Sequence, residues 1–102
     1  MLRIVVSNCS PEESKKLAQT LVDERLAACV NIIGGITSIY TWQGERCEDV
    51  EDTLIIKTSA ERYEAMKARL VELHSYDVPE VIALDPTDVL DSYAHWAHGQ
   101  IR

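Results

Sequence analysis

The longest apolar segment of the chain, residues 26–44, has the composition of a β-strand but no polar face. A half-buried strand alternates apolar and polar residues with a period of two. Here both faces are apolar, with Ala28, Val30 and Ile32 on one and Ala27, Cys29 and Ile33 on the other. A chain of 102 residues can hardly cover both sides of such a sheet. We therefore expect part of this surface to contact another chain.

Three further segments are predicted as strands. Residues 2–7 form a β-branched run, residues 48–58 return after a predicted hairpin turn at 43–45, and residues 81–84 are apolar on both faces. The pair Gly34-Gly35 interrupts the long strand, and it indicates a bulge or bend rather than the end of that strand.

Three helices are predicted between and after the strands. The first begins at Ser10, with Pro11 at the first helical position and Glu13 where a capping box needs it. Thr58 or Ser59 can cap the second helix, and a short third helix ends the chain. Apolar residues recur at helical spacing: Leu17, Ala18, Leu21, Val22 and Leu26, then Tyr63, Met66, Leu70 and Leu73, and finally Tyr93, Trp96 and Ile101.

The order β-α-β-β-α-β plus a helix predicts an α+β fold, a ferredoxin-like sandwich in one domain of residues 1–102. Right-handed crossovers place both long helices on the same face of the sheet. The other face is then bare and apolar, which is typical of an interface. The alternative is that the C-terminal helix and the hairpin fold back over it. We expect an oligomer.

The composition and the charge of the chain limit the classes of partner that we expect. Seventeen acidic and 10 basic residues give a formal charge of −7, whereas binding to nucleic acid needs a basic surface. The chain begins with a strand pattern rather than an apolar leader, and no apolar run approaches the roughly 20 residues of a membrane helix. Cys9, Cys29 and Cys47 are odd in number and widely spaced, which favours reduced thiols. We expect a cytoplasmic protein without nucleic-acid or membrane partners.

Several blocks of the chain form a familiar pattern. They are LAACVNI at 26–32, ITSIY at 36–40 followed by Trp42 and Gly44, LIIKT at 54–58, and His74, Tyr76, Val78, Pro79 and Glu80, with Tyr93 and Trp96 in the last helix. Together they resemble the CutA family of divalent-cation tolerance proteins over essentially the whole chain. The resemblance implies a homotrimer similar to PII signalling proteins, in which the long hairpin reaches neighbouring subunits. Three residues depart from the family pattern: Gly34 stands where proline is usual, and Ser75 and Asp77 replace the common proline and glutamate.

The resemblance also implies binding of divalent metal ions, with copper first. The candidate ligands in the matching blocks are Cys29 and His74, since a thiolate and an imidazole suit copper or zinc. No CxxC or HxxxH spacing accompanies them, and a mid-strand cysteine is also typical of a small core residue.

Two further sets of residues have metal-binding side chains. Asp91, His95 and His98 follow one helix face at spacings that allow a shared ion. Glu45, Glu48, Asp49, Glu51 and Asp52 form an acidic stretch that could attract cations loosely. We favour a solvated helix face for the first set and an exposed, charged strand end that deters edge pairing for the second.

The polar and aromatic residues of the matching blocks are candidates for a cleft between subunits: Tyr40, Trp42, Lys57, His74, Tyr76 and Glu80. They either bind an effector or anchor the interface, where tyrosine and tryptophan are enriched. A nucleophile pair of Cys29 and His74 is conceivable. However, no glycine-rich phosphate or oxyanion loop and no paired-carboxylate signature accompanies it, so we do not expect an enzyme. The resemblance implies a copper-binding metal-response trimer or, alternatively, a trimeric sensor or scaffold for a small ligand.

Overall fold

Four strands and three helices follow one another in the predicted order, which confirms the α+β class. The computed structural model describes residues 1–102. The elements are β1 (Leu2–Cys9), α1 (Ser14–Asp23), β2 (Cys29–Trp42), β3 (Glu45–Ser59), α2 (Tyr63–Leu73), β4 (Ile82–Leu84) and α3 (Asp91–Gln100). No helix has both the length and the apolar character needed to cross a membrane.

The strands form one sheet in the order β2-β3-β1-β4, and every neighbouring pair is antiparallel. The hairpin of β2 and β3 dominates the sheet, running from the pair Cys29 and Lys57 to the pair Trp42 and Glu45. β1 pairs with β3 only as far as Asp52. Beyond that residue the two hairpin strands pair with each other alone, so the distal hairpin extends past the rest of the sheet.

The predicted bulge lies between Ile33 and Ile36, where three steps along β2 oppose two steps along β3. Gly35 has a φ of 72°, a conformation that glycine adopts without a steric penalty. Its N–H donates to Asp52 Oδ1 at 3.0 Å, and Ser14 Oγ donates to Asp52 Oδ2 at 2.6 Å. Asp52 is only 8% exposed, so a buried carboxylate connects the bulge to the start of α1.

Both long helices begin a few residues after their candidate caps. Half of the predicted capping box is formed, because the Ser10 N–H donates to Glu13 Oε2 at 3.3 Å. The Ser10 hydroxyl donates to the same carboxylate at 2.9 Å instead of capping the backbone, and α1 starts only at Ser14. Thr58 donates its hydroxyl to Leu26 O at 2.7 Å, so it cannot begin α2. The Ser59 hydroxyl accepts from a backbone N–H in the turn that precedes α2.

The main core lies between one face of the sheet and the helices α1 and α2. Its members come from five parts of the chain: Val5, Cys9, Leu17, Leu21, Leu26, Ala27, Leu54, Ile56, Met66 and Leu70. Alternation with a period of two leaves the intervening residues of β1 and β3 on the opposite side of the sheet.

The opposite side of the sheet, here called the open face, is apolar and largely uncovered. It consists of Ile4, Val6, Ile33, Ile55, Ile82 and Leu84. About half of the surface of Ile33, Ile82 and Leu84 is exposed. α3 packs through Ala97 against Leu2 and Ala28 at one end only. The C-terminal helix therefore does not cover the open face, which was the alternative left by the sequence.

Candidate functional site

A cleft of about 620 Å³ opens between the distal hairpin and the segment that follows α2. Residues 38–42 of β2 and 49–51 of β3 form one wall, and residues 76–80 form the other. Seven lining residues have aromatic or acidic side chains: Tyr40, Trp42, Asp49, Glu51, Tyr76, Asp77 and Glu80. Four of the predicted cleft residues, Tyr40, Trp42, Tyr76 and Glu80, are therefore brought together by the fold.

The bulge determines which hairpin side chains reach the cleft. Before it, Ile33 lies on the open face opposite Thr53; after it, Tyr40 lies opposite Cys47. Two-residue alternation alone would place an odd-numbered and an even-numbered residue of β2 on opposite faces. The extra residue of the bulge cancels this difference. Tyr40 and Trp42 therefore point to the same side of the sheet as Ile33.

Two tyrosine hydroxyls bind the carboxylates of the hairpin wall. Tyr76 donates to Glu51 Oε2 at 2.8 Å, and Tyr40 donates to Asp49 Oδ2. The hydrogen bond to Asp49, with burial second, raises the pKa of Tyr40 to about 12. Burial, followed by the bond to Glu51, raises the pKa of Tyr76 above its usual range. Both phenols remain neutral donors at physiological pH.

His74 lies behind the cleft, where it holds Tyr76 in place. Its side chain is 8% exposed, and its ring centroid is 4.7 Å from that of Tyr76. Nδ1 accepts from the N–H of Tyr76 at 3.2 Å, and Nε2 donates to Asn8 O at 2.9 Å. This pattern requires the tautomer protonated on Nε2. A metal ion on either nitrogen would displace one of these bonds.

Cys29 lies on the same side of the sheet as the open-face residues, with contacts that differ from those of His74. Its Sγ is 3.9 Å from Lys57 Nζ and 3.9 Å from Asn31 Oδ1, and Lys57 also donates to Asn31. The structure therefore places Lys57 with Cys29 and outside the cleft. Cys29 and His74 share no contact partner, so the conceivable nucleophile pair is not formed.

No three His, Cys, Asp or Glu side chains are close enough together to hold one metal ion. This applies to the set of Asp91, His95 and His98, whose members are all exposed on α3. The expectation of an exposed acidic strand end is wrong at Glu51 and Asp52, each 8% exposed. Both carboxylates are hydrogen-bonded inside the fold, whereas the acidic residues nearer the hairpin tip are exposed.

A contact between Glu13 and Ser75 holds the second wall of the cleft, and the sequence did not predict it. The Ser75 N–H donates to Glu13 Oε1 at 3.1 Å, and its hydroxyl donates to Glu13 Oε2. Burial raises the pKa of Glu13, but the hydrogen bonds from Ser75 and Ser10 outweigh it and hold the pKa below its usual value. The only signal in the sequence was the capping-box spacing of Ser10 and Glu13.

We expect Glu13→Gln to lower the free energy of unfolding at pH 7 by about 1 kcal/mol, because charge-assisted hydrogen bonds become neutral and the site is partly solvated. The lowered pKa means that the Glu13 contribution is present above the usual pKa of about 4.3 and is lost as pH falls through the folded-state value. The difference between variant and wild type should therefore shrink below pH 4. Urea unfolding at pH 7 and pH 3.5 measures it. Glu12→Gln, at an exposed neighbour, is the control, and equal behaviour of both variants would contradict the assignment.

Comparison with known proteins agrees with the resemblance seen in the sequence. A family model described as CutA1 divalent ion tolerance protein matches residues 3–100. The divalent-cation tolerance protein CutA of Thermus thermophilus is 44% identical over 91% of this chain and 90% of that protein. The chloroplastic protein CutA of Arabidopsis thaliana is 47% identical over 89% of this chain, which spans only 50% of that relative. A solved structure of the PII-like protein CutA from Nostoc matches with a TM-score of 0.94 at 35% identity, over 98% of this chain and 97% of that one.

Proposed function

Because this chain belongs to the CutA1 divalent ion tolerance family, we propose that it acts in the response to divalent metal ions as a cytoplasmic homotrimer that binds ions such as copper. Each subunit is one ferredoxin-like domain, an assignment supported by the strand order β2-β3-β1-β4. The cytoplasmic location rests on the sequence pattern alone, and the name of the Arabidopsis relative places that protein in the chloroplast.

The open face is the observation that carries this proposal. A monomer would leave Ile33, Ile82 and Leu84 in contact with water, whereas exposed apolar patches of this kind mark interfaces. The distal hairpin supports the same assembly, because its strands pair only with each other and keep free edges. Free edges pair readily with strands of a neighbouring subunit. Three subunits are what the family resemblance implies, and the Nostoc relative is described as PII-like.

Copper in such a trimer would need ligands from more than one subunit, since one chain brings no three metal-binding side chains together. Cys29 is the stronger candidate of the two predicted ligands. It lies on the side of the sheet that a neighbouring subunit would cover, and a thiolate suits copper. The ammonium of Lys57 at 3.9 Å from the sulfur opposes a cation, so a neighbouring carboxylate or thiolate has to offset it.

Calorimetric titration of the purified trimer with copper tests this function. We expect a defined number of ions per trimer and at least tenfold weaker binding in Cys29→Ser. Cys47→Ser, which removes a thiol near the hairpin tip, is the control and should bind as the wild type does. Binding that lacks a defined stoichiometry, or that modest salt abolishes, would contradict a metal-binding role.

The cleft favours a second candidate function, a trimeric signalling or scaffold protein that senses a small ligand. Its volume of about 620 Å³ lies within the range of ligand pockets, and aromatic and polar groups line it together. A titration without specific metal binding would favour this candidate over the first.

A further inference from the structure

The turn that follows α1 has an arginine where its backbone favours glycine. The Leu26 N–H donates to Leu21 O at 3.0 Å and the Arg25 N–H donates to Val22 O at 3.0 Å, which together form a Schellman motif. Arg25 is the residue of this motif in the left-handed conformation, with a φ of 60°. Glycine adopts this conformation without a steric penalty, whereas a residue with a side chain loses free energy there. A strained residue of this kind points to a role for its side chain.

Arg62 lies on the side of α2 that faces the same turn. Arg62, Met66 and Arg69 recur at the spacing of one helix face, and Arg69 donates to Glu24 at 2.7 Å beside the turn. The Nε atom of Arg62 is buried and has no hydrogen-bond partner. A buried donor without an acceptor costs free energy. A ligand that brings an acceptor to this place would remove the cost.

The arginines around this turn are the ones that the chain leaves without a carboxylate. Half of the arginines form ion pairs: Arg3, Arg46 and Arg69. The other three, Arg25, Arg62 and Arg102, form none, although the chain has 17 acidic residues. Arg102 joins the turn through its backbone N–H, which donates to Arg25 O at 2.9 Å. These three residues, here called the arginine group, are a local concentration of unpaired positive charge.

The arginine group lies outside the surfaces that the proposed trimer would cover. The hairpin begins beside the turn, at the pair Cys29 and Lys57, and its distal part extends from the opposite end of the sheet. Arg25 and Arg62 adjoin α1 and α2, which pack on the side of the sheet away from the open face. The group therefore remains accessible to a ligand in the assembly.

The number of donors indicates the chemical class of the ligand. A guanidinium group presents parallel N–H donors that bind two oxygens at a time. Two such groups can bind more oxygens than the two of a carboxylate. A phosphate monoester has three terminal oxygens and a charge between about −1.5 and −2, so it matches both the donors and the charge of the group.

We propose that the arginine group binds a phosphate group, either as the free ion or as the monoester of a small molecule. The Nε–H of Arg62 donates to one phosphate oxygen and so gains the acceptor that the chain lacks. The guanidinium of Arg25 donates to the other oxygens from the turn, and Arg102 adds positive charge at the rim. This site is separate from copper binding and from the cleft, so it goes beyond both candidate functions.

Calorimetric titration of the wild-type protein at low salt tests the ligand class with three probes: inorganic phosphate, glycerol 3-phosphate and dimethyl phosphate. We expect the free ion or the monoester to bind and to shift the backbone amide resonances of Arg25 and Leu26. The diester has one charge and two terminal oxygens, so it should bind at least tenfold more weakly. The tighter of the first two probes identifies the source of the phosphate. Equal binding of all three probes would overturn the ligand class.

Arg25→Gly separates binding from folding. Because glycine suits a φ of 60°, this variant should unfold at the same urea concentration as the wild type or a higher one, while phosphate binding falls at least tenfold. Arg62→Gln should also weaken binding at least tenfold, and Arg62→Lys should weaken it less, because lysine keeps the charge but not the paired donors. Lys15→Gln is the matched control, since it removes an unpaired charge at the other end of α1 and should bind as the wild type does.

Three results would overturn the proposal. Equal weakening in Lys15→Gln and Arg25→Gly would mean general attraction between the anion and basic residues. Loss of stability in Arg25→Gly with unchanged phosphate binding would mean that Arg25 serves the fold alone. Absence of binding by the wild type at millimolar phosphate, or binding that leaves the amide resonances of the turn unchanged, would mean that the arginine group is not a phosphate site.

Discussion

Replacing Ile33 with glutamate is expected to convert the proposed trimer into monomers while each chain keeps its fold. Ile33 is 49% exposed in the single chain, so the substitution removes little packing within the subunit. In the assembly the same side chain would lie in an apolar interface, where an unpaired carboxylate costs about 3 to 5 kcal/mol. The affinity between subunits is therefore expected to fall by more than 100-fold for each substituted subunit. Sedimentation velocity at micromolar concentration measures the change.

Val71→Glu is the matched control for this experiment. Val71 is 47% exposed, but it lies on α2, on the other side of the sheet from Ile33. It should leave both the assembly and the helical circular dichroism signal unchanged. If Ile33→Glu still sediments as a trimer, or if the wild-type protein sediments as a monomer, the open face is not the subunit interface.

Replacing Asp52 with alanine is expected to lower the free energy of unfolding by about 3 kcal/mol. The substitution removes two hydrogen bonds of a buried carboxylate, those from Gly35 N–H and Ser14 Oγ. It leaves the Gly35 N–H without this acceptor, while Ser14 Oγ keeps only the longer contact to Pro11 O at 3.3 Å. It also disconnects the bulge from the start of α1. Urea unfolding at a fixed protomer concentration measures the loss, because the stability of an oligomer depends on concentration.

Asp52→Asn separates hydrogen bonding from the removal of volume. The amide oxygen can still accept from Gly35 N–H, so this variant should lose less than half as much stability as Asp52→Ala. A loss below about 0.5 kcal/mol in Asp52→Ala is typical of a surface substitution and would contradict the structural role of the carboxylate.

The fold was largely predictable from the sequence because its signals are local. Apolar and β-branched runs identified the strands, and the glycine pair located the bulge. The helix starts were misplaced by a few residues because the Ser10 hydroxyl bonds to the nearby Glu13 carboxylate, and because the Thr58 hydroxyl bonds to Leu26 O, which only the folded chain brings close. Other groups of the folded chain compete with the helix backbone for the hydroxyl of a candidate cap. A single sequence does not show which of these groups the hydroxyl binds.

The candidate site was predictable only in part, for a related reason. Tyr40 and Trp42 were recognised in one matching block and Tyr76 and Glu80 in another, all as candidates for a cleft between subunits. That these two groups form one cleft depends on where residues 76–80 lie relative to the hairpin, which no local pattern encodes. Glu51 was assigned to an exposed acidic stretch because its partner Tyr76 is 25 positions away.

The bulge in β2 limits how the hairpin can be exchanged between related proteins. Adding or removing two residues between Ile33 and Tyr40 would lengthen or shorten the hairpin and keep its faces. A change of one residue would send the aromatic side chains to the far side of the sheet without altering any of them. A chimera that exchanges this part of the hairpin therefore keeps the aromatic side chains on the same face only if the two exchanged segments differ in length by an even number of residues.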